Sequence, residues 1–366
     1  MNISGIKKPT LLLNETTARR NIAFMAEKAR KASLEFRPHF KTHQSGTIGE
    51  WFRDEGVSKI TVSSVTMARY FMSKGWKDIT IAFPANPAEI DDINSIAEKI
   101  NLNILVTDFE QLSSFAWKIR AEVGSYVKID TGYRRSGIDW NRYTDLMRIA
   151  ELISEVKPLR MSGFLTHSGH TYNARGQEEV LSIFNDTRSK LLHTKDILSI
   201  SNARLSVGDT PSCSLATDFS GIDEIRPGNF VFYDLMQSKI GSCKIDDIAV
   251  AVACPVVSIN HYHNEAVLYG GAIHFSKECM TNEDGTNSYG KVVMLSNDGW
   301  DGESVIGSVR SVSQEHGIVT LAGLDGVRLK PGDIVAVLPV HSCLTTDLLR
   351  RYTTIEGKLI DDFCEK

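Results

Sequence analysis

Between Arg37 and His43 the chain reads Arg-Pro-His-Phe-Lys-Thr-His, which sets Lys41 between two histidines and behind an arginine. Neighbouring positive charge and burial would both lower the pKa of a lysine, and a neutral amine can attack a carbonyl carbon. The run has two readings: a nucleophilic lysine held among basic groups, or a surface loop with assorted basic residues. Like charges repel, so the second reading must explain why Arg37, His39, Lys41 and His43 gather in so short a run.

Four other runs carry groups that could do chemistry. Asp130 to Gly137 reads Asp-Thr-Gly-Tyr-Arg-Arg-Ser-Gly. Its glycines suit a tight turn with close backbone approach. Arg135 could lay a guanidinium over a planar anion or phenolate, or simply pair with a carboxylate. Thr166 to Tyr172 places His167, His170 and Tyr172 close together, where they could share protons. Ser206 to Ser212 and Arg226 to Phe230 offer N–H groups at Gly208, Gly228 and Asn229 and a hydroxyl at Thr210. At two late strand ends of a barrel such turns suit a phosphate. Finally, His341-Ser342-Cys343 follows an apolar run. In an extended segment residues two apart share a side, so imidazole and thiolate could grip one metal ion. Zinc suits the pair, and two protein ligands leave positions open for water or substrate.

These runs need elements to position them. Pro9–Leu13, Leu34–Phe36, Ser58–Ser63, Asp78–Phe83, Leu102–Thr107, Ser125–Asp130, Leu159–His167, Ala203–Val207 and Glu224–Pro227 read as short apolar strands. Between them lie helical periodicities, among them Ala18–Lys31 behind an Asn14 cap, Gly46–Asp54, Asn141–Ser154 and Gly176–Leu192. Pro38 ends the strand before Lys41 by removing a ladder donor, and a helix is expected to begin near Thr42. The alternation predicts a parallel sheet closed as a (β/α)8 TIM-like barrel. No GxGxxG follows the first strand, which weakens a dinucleotide-binding alternative. Near residue 240 the texture changes to strand-like runs, Ile248–Asn260, Glu265–Tyr269, Lys291–Leu295, Ser304–Ser313, Gly317–Leu321 and Asp333–Leu338. Turns at Asn297-Asp298-Gly299, Asp325-Gly326 and Pro331-Gly332 separate them. The expected division is a barrel over 1–240 and an all-β domain over 241–366 that carries His341 and Cys343.

Composition narrows the function classes. The chain has 366 residues, a net charge of −4 and no long basic block, which argues against nucleic acid. It shows neither a signal-peptide core at its start nor a membrane-length apolar run, so the cytoplasm is the default compartment. The six cysteines are scattered without a C-x-x-C, so a disulfide framework is not expected.

Taken together, the motifs resemble the D-serine dehydratase and D-threonine aldolase family, over nearly the whole chain. That family uses pyridoxal 5′-phosphate (PLP) on an alanine-racemase type of fold. The Arg37–His43 run resembles its Schiff-base lysine motif, which implies Lys41 as the residue that holds PLP. The run at Asp130 resembles the Asp-Thr-Gly-Met-Gly-Arg-Leu-Gly of alanine racemases, which implies that Arg135 contacts the cofactor's phenolic oxygen. Arg134 departs from that pattern, where a glycine is usual. The run at Thr166 resembles His-x-Gly-His-x-Tyr, which implies Tyr172 beside the cofactor ring and His167 in the pocket. Gly208, Thr210, Gly228 and Asn229 match the family's phosphate cup, with Tyr233 lining the same pocket. Gln314-Glu315-His316-Gly317 also resembles a family signature, with His316 as a pocket residue. The family's dehydratases carry zinc on a histidine and cysteine at the place of His341 and Cys343, and its aldolases usually carry aspartate in the second position with another divalent metal. The resemblance therefore implies a PLP- and zinc-dependent lyase acting on a small D-amino acid with a β-hydroxyl, D-serine first. The alternatives it leaves are a 3-hydroxy-D-amino acid aldolase, an amino-acid racemase and a non-catalytic PLP-binding protein. It also implies a homodimer, and an N-terminal strand lent to the β domain.

Overall fold

The structure is a computed structural model, and it describes residues 5–282, 284–322 and 329–365, with the side chain of Glu303 set aside. The expected turn at Asp325-Gly326 lies outside the described residues. The chain divides into two units. One is Phe24–Gly228 with Cys364–Lys366, and the other is Met1–Ala23 with Asn229–Phe363.

The strands run in chain order as β1 (Thr10–Leu13), β2 (Glu35–Phe36), β3 (Ile60–Val62), β4 (Asp78–Pro84), β5 (Asn101–Val106), β6 (Val123–Asp130), β7 (Ile138–Asp139), β8 (Leu159–Leu165), β9 (Arg204–Val207) and β10 (Glu224–Ile225). In the first unit the order is β2-β10-β9-β8-β6-β5-β4-β3, all parallel, with β7 paired to the side of β6. The ring closes immediately beyond β2, where His39 bridges Thr61 of β3. There Phe40 donates its N–H to the Thr61 carbonyl, and Thr61 donates to the Pro38 carbonyl, both at 2.9 Å. Pro38 lacks a donor, but its carbonyl still serves the ladder, so the proline sits at the seam without breaking it. The barrel of parallel strands is therefore closed, and helices follow its strands.

Polar side chains cap several of the helices. Asn14 Oδ1 accepts the Thr17 N–H at 3.0 Å, and Asp108 Oδ1 accepts the Gln111 N–H at 2.7 Å. The helix after Lys41 begins at Gly46 rather than near Thr42, because Ser45 takes the cap and accepts the Ile48 N–H at 3.3 Å. Phe40 to His43 thus remains a turn outside any helix.

The barrel interior is partly ionic. Arg37 is buried and pairs with Asp78 and, through Nε at 2.7 Å, with Glu224. Ser206 donates to Glu224 at 2.6 Å and accepts Nε of Arg226, also at 2.6 Å. Two of the three basic side chains expected to crowd Lys41 are in fact spoken for by the fold. Arg37 belongs to this network. His43 lies in an apolar pocket with Phe40 at 4.4 Å and Phe52 at 5.5 Å, its Nδ1 accepting the Ser45 N–H at 3.1 Å.

Burial pushes the His43 imidazolium out, and its pKa falls from 6.5 to about 3 despite the Ser45 hydrogen bond. The unfolded chain therefore binds more protons than the folded one between those values. The stability that His43 contributes while neutral is complete above pH 6.5 and drains as pH falls towards 3. Chemical unfolding at a series of pH values should give a slope of up to about 1.4 kcal/mol per pH unit from this group. His43→Phe should flatten the slope in that window.

The second unit is antiparallel apart from one pairing. Its strands continue as β11 (Val250–Asn260), β12 (Glu265–Tyr269), β13 (Met280–Thr281), β14 (Asn287–Ser288), β15 (Gly290–Ser296), β16 (Gly299–Val312), β17 (His316–Leu321), β18 (Ile334–Pro339), β19 (Tyr352–Thr354) and β20 (Leu359–Ile360). The sheet order is β12-β17-β16-β15-β18-β11-β1-β19-β20, and β11 also pairs with β12. Strand β11 is long enough to serve both, pairing with β18 over Val252–Pro255 and with β12 over Val256–Asn260, with a bulge between Val256 and Ser258. Six strands thereby form a second closed ring. Strand β1 does join this sheet, antiparallel to β11 and parallel to β19. A short helix at Leu235–Ile240 and the strands β19 and β20 carry no clear periodicity in the sequence. No helix among the described residues is long and apolar enough to cross a membrane. No disulfide joins any of the six cysteines among the described residues.

Candidate active site and metal site

In the barrel unit, Lys41 stands on the seam turn with its side chain exposed, so the burial half of the expected activation is not met. His39 is held well below its usual pKa by burial first, then by the charges of Lys41 and Arg226. His167 is likewise held well below it by burial first, then by Lys41, with Arg135 and Arg226 adding to the effect. These groups therefore share one electrostatic neighbourhood, and its two histidines are neutral. The ring Nδ1 of His167 faces the carbonyl oxygen of Gly208. A carbonyl only accepts, so the proton of the neutral ring sits on Nδ1 and Nε2 is left as a base.

From His167 the site runs on to the phosphate-binding candidates. The Tyr172 ring is 6.2 Å from that of His167, and its hydroxyl accepts the Thr210 N–H at 3.3 Å. Beyond it, in the first turn of the Thr210–Leu215 helix, Thr210 Oγ1 is buried without a hydrogen-bond partner, and the Ser212 hydroxyl is buried beside Asp209. Buried polar groups are almost always paired, so the orphaned Thr210 hydroxyl fits an anion that it would contact. Gly228 packs so closely on the turn bearing Lys41 that a Cβ there would lie 2.9 Å from the His39 carbonyl and 3.2 Å from Thr42 Oγ1. A Cβ at Gly208 would meet Arg226 at 2.9 Å. Both glycines are required by the approach of one loop to another. PLP fits this donor set. The amine suits an aldehyde, and the hydroxyls suit a phosphate. Thr210→Ala and Ser212→Ala should each weaken PLP binding about tenfold, the value of a hydrogen bond to a charged group. Titration of the apoprotein with PLP, followed by absorbance, measures it.

Arg135 is exposed, with its guanidinium 5.1 Å from the centre of the Tyr133 ring, and it pairs with no carboxylate among the described residues. Arg134 adopts a left-handed conformation at φ 56°, which favours the glycine usual there. Tyr133 carries no signal of its own in the sequence. It stacks on His170 at 6.1 Å, and Gly169 makes room for it, since a Cβ there would lie 2.4 Å from the ring. His170 is thus a wall residue packed on Tyr133, its Nδ1 buried without a partner. Ser212, Arg226 and Lys128 likewise join the site without having stood out among the motifs. Lys128 is buried on β6, donates to Ser136 Oγ at 2.6 Å, and is pushed down to about 8 by burial and then by Arg135. A lysine inside an otherwise apolar strand is the signal for it.

Asn229 and Tyr233 fall in the other unit. Tyr233 is buried at φ 48° and its N–H bonds to the Asn229 carbonyl at 2.8 Å. The Asn229 side chain reaches Cys343 Sγ at 3.6 Å. His316 opens β17 and is exposed.

His341 and Cys343 meet, though not in the extended geometry that their spacing implies. His341 stands at the N-cap of the helix Ser342–Leu349, and Cys343 is the second residue of that helix. The imidazole nevertheless hydrogen-bonds Cys343, and its Nδ1 lies 4.0 Å from Glu278 Oε1. Burial opposes a charge on His341, but the bond to Cys343 and the charges of Cys343, Asp234 and Glu278 win and raise it to about 9. Among the described residues no three His, Cys, Asp or Glu side chains gather as a metal site. A touching imidazole and sulfur fit a two-ligand zinc site with open positions, and a divalent ion would replace the shared proton.

Residues 13–235 match the family model "Alanine racemase, N-terminal domain". The chain belongs to that family. Residues 249–355 match the model "Putative serine dehydratase domain". Together these bear out the PLP-dependent family to which the motifs pointed. Among curated relatives, D-serine dehydratase of Dictyostelium discoideum is 28% identical, with 99% of this chain and 97% of that protein covered. D-threo-3-hydroxyaspartate dehydratase of Delftia sp. (strain HT23) is 27% identical over 92% of this chain and 91% of that one. A solved structure of D-threo-3-hydroxyaspartate dehydratase from Delftia sp. HT23 matches with a TM-score of 0.90, 24% identity and coverage of 100% and 99%.

Proposed function

We propose that the chain is a PLP- and zinc-dependent lyase that removes water from a D-β-hydroxy amino acid, D-serine first, giving pyruvate and ammonia. The observation that carries this reading is the contact between His341 and Cys343. A racemase would have no use for such a pair. The full-length similarity to D-serine dehydratase supports the same substrate class.

When bound, PLP supplies an electron sink for the substrate's α-carbon, and zinc supplies the Lewis acidity that a β-hydroxide leaving group requires. The chain does the rest. Lys41 holds the cofactor through Nζ, and the same atom takes the α-proton. Within the barrel unit, Thr210, Ser212 and the N–H groups of Gly208 and Gly228 would receive the phosphate. Arg135 answers the phenolate oxygen, and Tyr172 walls the ring. Neutral His167 holds or returns a proton at Nε2. His341 and Cys343 hold the metal. The protein acts as a homodimer on this reading.

Incubation of PLP- and zinc-loaded protein with D-serine, D-threonine and D-threo-3-hydroxyaspartate tests the proposal. Keto acid with ammonia is expected. Glycine with an aldehyde would replace the reading with an aldolase, and inversion without cleavage would replace it with a racemase.

A further inference from the structure

The sequence offers Asn229 as a source of a phosphate-binding N–H. Its side chain has another occupation. Asn229, Asp234 and Ser342 are all buried. The Asn229 Nδ2 lies 2.7 Å from Asp234 Oδ2, 3.0 Å from Ser342 Oγ and 3.6 Å from Cys343 Sγ; of its two hydrogens one goes to Asp234, and the other is shared between the serine oxygen and the sulfur. The amide cannot be turned round. A carboxylate only accepts, so the nitrogen end must face Asp234.

Asp234 divides its two oxygens between two helices. Oδ1 accepts the Gln237 N–H at 3.0 Å and caps Leu235–Ile240. Oδ2 accepts the Ser342 N–H at 3.0 Å and the Ser342 hydroxyl at 3.4 Å. Ser342 is the residue between the two proposed metal ligands. Its clamped backbone fixes where His341 and Cys343 point, while the Asn229 amide addresses the sulfur directly. A purely structural cap would need the Asp234 bonds alone. It would not need a donor at the sulfur.

We propose that Asn229 and Asp234 are positioning residues for the His341–Cys343 metal site, and that the Asn229 amide hydrogen-bonds the ligating sulfur and sets its affinity for the ion. The inference rests on the metal reading above. Groups behind the ligands orient them, and their loss typically costs about 10- to 100-fold in metal affinity.

The test uses the full chain with PLP bound. Zinc affinity is measured by competition with a chromophoric chelator, and the cobalt-loaded protein is read through its sulfur-to-cobalt charge-transfer absorption. Asn229→Ala should weaken zinc about 10- to 100-fold and shift the cobalt–sulfur band, with the PLP absorbance unchanged. Asp234→Asn keeps an acceptor for the Ser342 N–H and should weaken zinc by less. Should Asn229→Ala fail to fold, Asn229→Ser gives the same readings in a smaller change. Wild-type affinity and an unmoved band in the folded Asn229 variant, alongside weakened binding in Cys343→Ala, would overturn this inference alone. If wild-type protein takes up no zinc, or Cys343→Ala binds it as tightly, the metal reading falls and this inference with it.

Discussion

Lys41→Ala is expected to abolish the visible absorbance of the PLP-loaded protein and to lower turnover by about 10³-fold or more. The expectation rests on isolation. Arg37 is consumed by Asp78 and Glu224, and His43 by the apolar pocket. Lys41 is the amine that remains on the seam turn, exposed and next to two neutral histidines. Neither histidine can replace it, because an imidazole does not form the same bond to an aldehyde. Lys128 is too deep and already donates to Ser136. Because Lys41 is exposed, removing it leaves no cavity, and the melting temperature of the apoprotein should not move. A variant that kept both colour and activity would remove Lys41 from the chemistry.

The second large effect is expected at the metal pair. His341→Ala or Cys343→Ala should lower β-elimination by about 10³-fold, several kcal/mol of leaving-group stabilisation, while PLP stays bound. The two variants should be nearly as damaging singly as together, since one remaining ligand does not hold the ion. Strong chelators should reproduce the loss in the wild-type protein, and added zinc should reverse it. The pH dependence has a definite sign. The proton on His341, held up to about 9, competes with the metal, so zinc affinity should fall as pH is lowered. Unimpaired elimination after chelation would take the ion out of the reaction.

Local sequence carries much of this architecture. Alternating apolar strands and helices locate the barrel unit, because a parallel strand buried on two faces has little freedom in composition, and the change to strand-like runs separated by turns locates the other. The runs at Lys41, Arg135, Tyr172 and Thr210 come together in the barrel unit because each leaves a strand at the same end. Pairings over long sequence separations are what local sequence does not carry. Nothing in the order Arg-Pro-His-Phe-Lys-Thr-His says that Arg37 turns inward to Glu224 or that His43 packs on Phe52. The side chain of Asn229 is hidden in the same way, since its neighbours Pro227 and Gly228 suggest only a turn. The fold alone brings it to Asp234 and Ser342. The extended geometry expected for His341 to Cys343 fails because a helix already starts at Ser342.

The bridge from His39 to Thr61 has a kinetic meaning. A cylinder of parallel strands can be complete everywhere else and still be an open sheet until that rung forms. That bridge is local in sequence, but the other partner of β2 is β10, from the far end of the barrel sequence, so the β2–β10 pairing that completes the ring forms late, after the intervening chain has collapsed. The turn bearing the reactive amine lies directly beside this last zip. If Lys41 is the reactive amine proposed above, newly made polypeptide has no competent lysine until the barrel is shut, and a cofactor that grips both lips of the join would hold it shut.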